Sequence, residues 1–317
     1  MTEIGYALSS EEFGPNDLVT FARKAEEAGF SFAMISDHFH PWTDAQGQSP
    51  FVWSVLGALT RATERMRLGT GVTCPTMRIH PAIIAHAAAT TAALMPGRFF
   101  LGVGTGENLN EHILGTRWPP LEVRQEMLED AIEVMRTLWE GGMRSYQGRY
   151  FTVENARLYT LPEHPVPVMV AASGSNSAEL AGRIGDGLIS TAPKADIVET
   201  FQKSGGSGPH YGQLTVCFAQ DEASARDMAL KQWPNAAIPG QLGQELPLPS
   251  HFEQAASSVS EDDIAATVVC GPDPKMHLEQ IRSFVDAGFD HVYIHQIGPQ
   301  QAEFIEFYRK EVLPHVA

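Results

Sequence analysis

Cysteine is scarce. Three thiols, Cys74, Cys217 and Cys270, lie far apart in a chain of 317 residues. That spacing gives neither a disulfide framework nor a CxxC metal motif, and a reducing cytoplasm is the expected setting. Basic charge is also short. With 22 Lys and Arg against 38 Asp and Glu, the formal net charge is −16, so a nucleic-acid partner, which needs a basic face, is not expected. No apolar run reaches the roughly 18 residues of a membrane-spanning helix. The start, Met1-Thr2-Glu3-Ile4-Gly5, has neither the basic region nor the apolar stretch of a secretory signal, so no membrane partner is expected either. Low-complexity tracts and short repeats are lacking too. What is present is a hydrophobic fraction of 43%, enough for a sizeable core. The length suits two ordinary domains or one α/β barrel of the roughly 250-residue type with insertions.

Short apolar runs alternate with amphipathic stretches. Strands are expected from Ile4, Phe32, Arg67, Phe99, Val166, Gly187, Leu214 and His291. Helices are expected over Pro15 to Ala28, Pro50 to Ala62, Pro81 to Leu94, Leu121 to Trp139 and Ser177 to Ile184, with Pro15 early in the first and Gly29 as its stop. Parallel strands need helical crossovers of this kind. Eight such runs predict a (β/α)8 TIM barrel as one domain over residues 1–317, with a doubly wound sheet as the alternative. Two segments break the rhythm. Residues 141–160, around Tyr146-Gln147-Gly148-Arg149-Tyr150-Phe151, predict a β-hairpin. Residues 233–261, rich in Pro, Gly and Gln, predict a long insertion before the last strand, of the kind that covers a barrel's active site.

A barrel carries its chemistry at the C-terminal ends of its strands. After Phe32–Ile35 comes Ser36-Asp37-His38-Phe39-His40-Pro41-Trp42, two histidines, an acid and an indole together. An imidazole titrates near neutrality and can take a hydroxyl proton. Trp42 offers a flat wall. Local hydrogen bonding of loop histidines is the plainer reading, and it stays open for His40. Asp37, His38 and His40 are metal-ligand types, but no further ligand cluster stands at a typical spacing, so no metal is expected. After Phe99–Val103 comes Gly104-Thr105-Gly106-Glu107-Asn108. Its glycines allow close backbone approach to a cofactor, and Glu107 is a candidate acid; a tight turn with a solvated Glu is the alternative. The loop has GxGxG rather than the GxGxxG dinucleotide spacing. Thr73-Cys74-Pro75-Thr76 follows the third strand, and Cys74 has no paired base in sequence, so packing is expected of it. Ala172-Ser173-Gly174-Ser175-Asn176-Ser177 precedes a helix and forms an anion site or a helix cap. Thr191 and Lys194 follow the sixth strand; Lys194 reads equally as a surface charge or as a ligand for a substrate anion.

Taken together, Ser36-Asp37-His38-Phe39-His40-Pro41-Trp42, Leu68-Gly69-Thr70-Gly71-Val72, Gly102-Val103-Gly104-Thr105-Gly106-Glu107, Ala171-Ala172-Ser173-Gly174 and Ala181-Gly182-Arg183-Ile184-Gly185-Asp186-Gly187 resemble the luciferase-like superfamily, in the branch that uses the deazaflavin coenzyme F420 and includes sugar-phosphate dehydrogenases. These pieces stand in the family's order across nearly the whole chain. The resemblance implies an F420-dependent oxidoreductase moving a hydride between an alcohol or sugar and C5 of the deazaflavin. His38 would be the base for the substrate hydroxyl, Glu107 the acid near the ring, Trp42 the wall and Glu11 a further acidic residue of the pocket. Cofactor contacts would come from Asp37, Gly71, Val72, Thr73, Gly106, Glu107, Asn108, Ser173 and Gly174, with a non-proline cis peptide at Gly71-Val72. His40, Thr191 and Lys194 would meet the substrate. A cytoplasmic homodimer is implied as well. An FMN-dependent luciferase-like monooxygenase is the alternative within the superfamily, and a non-catalytic cofactor-binding protein the alternative outside it.

The pattern departs from the sugar-phosphate enzymes at the phosphate. Thr267 stands where an Arg is expected before Val268-Val269-Cys270, and residues 234–261 contain no Lys or Arg. Charged hydrogen bonds contribute about 1.5–3 kcal/mol each, so the loss of two weakens a dianion clamp heavily. An unphosphorylated sugar, another alcohol or a singly charged compound is expected instead.

Overall fold

The computed structural model describes residues 2–238 and 240–316; Met1, Pro239 and Ala317, which the expected 1–317 range includes, lie outside the described residues. Eight parallel strands make the barrel: β1 (Glu3–Leu8), β2 (Phe32–Ile35), β3 (Arg67–Thr70), β4 (Phe99–Val103), β5 (Val168–Ala171), β6 (Gly187–Ser190), β7 (His210–Cys217) and β8 (His291–Gln296). Neighbours pair in chain order from β1 to β6, β8 pairs with both β1 and β7, and β6 pairs with β7 through Leu188 to His210 and Ser190 to Gly212. That last pairing closes the ring. A doubly wound sheet, which has two free edges, is thereby excluded, and the fold is a TIM barrel. A two-residue strand, Val269–Cys270, lies against the end of β7.

Side-chain alternation builds two cores from each strand. Phe32, Met34, Phe100, Met169, Ile189, Tyr211 and Tyr293 point inward and fill the barrel. Phe100 stacks on Tyr211 at 5.0 Å between centroids. Rings this large fit because facing strand positions carry no side chain. A Cβ on Gly69 would lie 2.1 Å from the Phe100 ring, and one on Gly5 would lie 2.4 Å from the Phe32 ring. The alternate residues, among them Ile4, Ala33, Ile35, Leu101, Val168, Val170 and Val292, face the surrounding helices.

Helices Pro15–Ala28, Pro81–Leu94 and Leu121–Trp139 run as the periodicity predicts. The first ends on Gly29, whose φ of 105° lets its N–H reach back to Ala25 and Glu26 carbonyls. Other boundaries shift. The fifth strand starts at Val168 because Pro167 has no N–H for the ladder, and β7 starts at His210 rather than Leu214. Three further crossover helices, Ala195–Lys203, Glu222–Gln232 and Pro274–Asp286, complete the ring. Residues Arg144–Gln147 and Thr152–Ala156 form the expected antiparallel hairpin. The long insertion lies between β7 and β8 and folds into short helices, including Leu242–Glu245 and Pro249–Ala255.

Candidate active site

The inward register of the strands does not stop where the hydrogen-bond ladder stops. It runs from Phe32 and Met34 to Ser36 and His38, from Ala7 to Ser9 and Glu11, and from Ile189 to Thr191. It also runs from Tyr211 to Gln213 and from Tyr293 to His295. The apolar residues of these series fill the barrel and the polar ones line a cavity of about 790 Å³ at its C-terminal mouth. The same parity brings Gly71, Gly104, Ala171 and Ser173 to the wall.

His38, Trp42, Glu11, Gly71, Val72, Gly106, Glu107, Ser173, Gly174 and Thr191, all expected at the site, border this one cavity. His38 is the centre of the polar group. Its Nδ1 lies 3.2 Å from the His40 carbonyl oxygen. A carbonyl only accepts, so Nδ1 carries the hydrogen and Nε2 is left facing Glu11 Oε1 at 3.4 Å. Glu11 is 4% exposed. Its Oε2 accepts from Ser36 Oγ at 2.6 Å and from Ser9 Oγ at 3.1 Å. Burial alone raises its pKa, but His38, the Ser36 hydroxyl, its own backbone N–H and His295 outweigh burial and hold the carboxyl below its usual value. The Trp42 indole meets the His38 ring edge-on at 4.9 Å and packs in the same way on Phe252 of the insertion at 5.1 Å.

Glu107 opens the short helix Asn108–Glu111. The preceding Gly106 has φ 76°, and a Cβ there would lie 2.6 Å from Cys74 Sγ, so this turn needs glycine. Arg124, 1% exposed, donates to the Gly106 carbonyl at 3.3 Å and to Glu245 at 3.1 Å. It therefore ties the glycine loop to the insertion. The Asn110 side chain joins the loops after β2 and β4: its Oδ1 accepts from the Phe39 and His40 N–H groups, and its Nδ2 reaches Glu107 at 3.4 Å.

The other expected residues lie outside the lining. Asp37 has the outward parity. It is buried behind the wall, where it accepts from Thr73 Oγ1 at 2.8 Å and Arg78 Nη2 at 2.8 Å. Both partners brace the segment that holds the cis peptide bond Gly71-Val72. Arg78 also meets Glu111, whose pKa burial pushes up to about 7, with Asp37 and Glu107 adding to the rise and Arg78 opposing it. His40 bonds the Leu109 carbonyl through Nδ1 at 2.9 Å and stacks on His112. Asn108 donates to the Glu245 carbonyl at 2.9 Å. Lys194 is exposed at the start of helix Ala195–Lys203. Cys74 is buried, with its thiol pKa raised well above the usual value, chiefly by burial, as packing requires.

Several lining residues are not among those expected. Tyr293 and His295 belong to an apolar run and Gln213 directly precedes one, so only strict period-2 counting exposes them. Trp233, Asn235, Gln241 and Gln244 come from the insertion, whose composition carries no periodic signal. At the far wall, Ser173 to Ser177 lead into helix Ser175–Ile184. Ser177 Oγ accepts from the Ser173 and Gly174 N–H groups at 3.2 Å. The capping reading therefore holds, and the turn still faces the cavity.

A glycine cradle, a cis-peptide wall, a helix N-terminus and a His–carboxylate pair at one mouth fit a flat ring with an anionic tail. Residues 1–291 match the family described as luciferase-like monooxygenase. The chain is 36% identical over 329 residues to an F420-dependent glucose-6-phosphate dehydrogenase of Beutenbergia cavernae, covering 100% of this chain and 98% of that protein. It is 38% identical over 324 residues to an F420-dependent hydroxymycolic acid dehydrogenase of Mycobacterium tuberculosis, covering 99% and 88%. An F420-dependent secondary alcohol dehydrogenase, solved with an F420-acetone adduct, superposes with a TM-score of 0.92 at 32% identity, covering 100% of this chain and 99% of that one. This chain belongs to the luciferase-like family, in the F420-dependent branch that holds these dehydrogenases.

Proposed function

We propose that the protein is an F420-dependent dehydrogenase that interconverts an alcohol and its carbonyl compound. The observation that carries this is the His38–Glu11 pair, set beside Trp42 and Glu107 around one cavity, in a chain whose relatives are F420-dependent dehydrogenases. When bound, F420 supplies a hydride acceptor at its C5. The Gly71-Val72 wall, Gly104, Gly106 and Glu107 would hold the ring, and the N–H groups of Ser175, Asn176 and Ser177, at the start of helix Ser175–Ile184, would take the phosphate of its tail. Asp37 and Thr73 would act from behind, by fixing the wall, and Asn108 by fixing the insertion.

The chain's own chemistry is proton handling. His38 Nε2 takes the hydroxyl proton of the alcohol, and the Glu11 carboxylate stabilises the imidazolium that results. Ser36 helps keep Glu11 ionised, and Ser36 and Ser9 together aim it. Trp42 would exclude water from one side of the reacting carbon, and Glu107, on the same cavity, would serve the bound ring as the acid. Thr191, just past β6, is the substrate contact. His40 orients the loop, since its Nδ1 is engaged by Leu109, and Lys194 contributes a surface charge. No Lys or Arg lines the cavity among the described residues, which favours a substrate without phosphate.

Helix Pro81–Leu94 exposes the stripe Ile83, His86, Thr90 and Leu94, with Ile83 60% and Leu94 50% exposed. This stripe, without an acid or Lys, supports a homodimer. Cys217 and Cys270 stand opposite each other in paired strands and are free thiols, which supports a reducing cytoplasmic setting. Titration of the protein with F420 and, separately, with FMN tests the cofactor assignment. Saturable F420 binding with weak FMN binding is expected; tight FMN binding without F420 binding overturns it.

A further inference from the structure

Beyond helping to hold the Glu11 carboxyl below its usual pKa, His295 has no role in the chemistry above. It follows Tyr293 on β8 in the inward register and lines the cavity. It is 4% exposed, and neither ring nitrogen has a hydrogen-bond partner. Nε2 faces Glu12 Oε2 at 3.7 Å, beyond hydrogen-bond length. Glu12 is itself held, through its other oxygen, by the Gly298 N–H at 3.0 Å. The Trp233 ring stands edge-on to the imidazole at 4.5 Å and reaches the cavity with it.

A buried imidazole without a partner is costly, and such groups in native proteins are completed by water, an ion or a ligand. Here the opening beside the ring is the substrate cavity. The polar lining of the same cavity includes the neutral amides of Gln213, Asn235 and Gln244 and the Glu11 carboxylate, whose pKa His295 helps lower. Imidazole and amides both donate and accept, which matches hydroxyl groups. Trp233 adds an apolar surface for carbon-bound hydrogens.

We propose that His295, beside Glu12, binds a second hydroxyl oxygen of the substrate, other than the one whose proton His38 takes. The preferred substrates are then neutral alcohols bearing a further hydroxyl, of the polyol or unphosphorylated-sugar class. This rests on the dehydrogenase reading only for the nature of the ligand. The interaction adds a hydroxyl-recognition subsite between Glu12, Trp233 and His295 to the redox site at His38.

The test uses the F420-loaded protein with ¹⁵N-labelled histidine. Propan-2-ol, glycerol and glucose are added separately, and the His295 ring signals are identified by their loss in His295→Phe. A polyol is expected to shift these signals and to bind about tenfold or more tightly than propan-2-ol. The preference is expected to vanish in His295→Phe while F420 affinity stays unchanged. Equal binding of all three compounds, unmoved His295 signals at the highest polyol concentration, or a preference that survives in His295→Phe overturns the proposal. Absence of oxidation of every compound sinks the dehydrogenase reading instead, and the binding comparison still decides the role of His295.

Discussion

His38 and Phe32 share one strand register and do opposite work. Phe32 fills the barrel, and six residues later the same inward direction delivers an imidazole to the cavity mouth. The price of this construction is glycine opposite each large ring. Gly69→Ala sets a methyl group 2.1 Å from the Phe100 ring. Overpacking of this kind destabilises by roughly 1–3 kcal/mol, which denaturant unfolding of the variant should register as a lower midpoint; an unchanged midpoint contradicts the inner packing described here. His38, Trp42 and Glu107 were legible in the sequence because chemically distinctive residues cluster just past strand ends; Glu11 entered only through the family resemblance. His295 was not legible, because a polar residue closing an apolar run looks like the end of a strand, and Gln213 was not, because the strand starts at His210, four residues before the apolar run at Leu214. Asp37 was legible as important but not as buried. Its outward parity, one step from His38, sends it to Thr73 and Arg78.

At the level of elements, the loops after β2, β3 and β4 are cross-braced beneath the cavity by Asp37, Arg78, Glu111 and Asn110. Glu111 gives this brace a pH dependence. Its folded pKa is raised to about 7 from an ordinary 4.5. A raised carboxyl pKa means the folded state holds its proton more tightly than the unfolded state. Its contribution is fully present below the unfolded value and is lost as pH rises through about 7. Thermal unfolding from pH 5 to 8 should therefore show a falling stability that flattens in Glu111→Gln; identical slopes in the two proteins rule this out. Helices with apolar stripes were readable from periodicity. Helix Glu222–Gln232 was not, since only Ala225 and Ala229 are buried on it and two alanines leave almost no pattern. Pro274–Asp286 carries His277, Ile281 and Phe284 inward, a helical spacing with a Pro at its start, and it could have been read.

On the scale of the whole molecule, ring closure puts all eight strand ends on one face, so residues from Ser9 to His295 meet although they span nearly the entire chain. On an acidic surface, helix Pro81–Leu94 exposes Ile83 and Leu94 with no acid or Lys among its residues. Light scattering should report about twice 34.6 kDa for the native protein and a shift to monomer for the double variant Ile83→Glu/Leu94→Glu; a native monomer contradicts the dimer. The central claim concerns what happens at His38. With F420-loaded protein and an excess of a secondary alcohol, without oxygen, the visible absorbance of the oxidised deazaflavin should bleach. His38→Ala should bind F420 as tightly as the native protein and bleach it roughly 10²–10⁴ times more slowly. Bleaching at the native rate in His38→Ala, with F420 equally bound, contradicts the account.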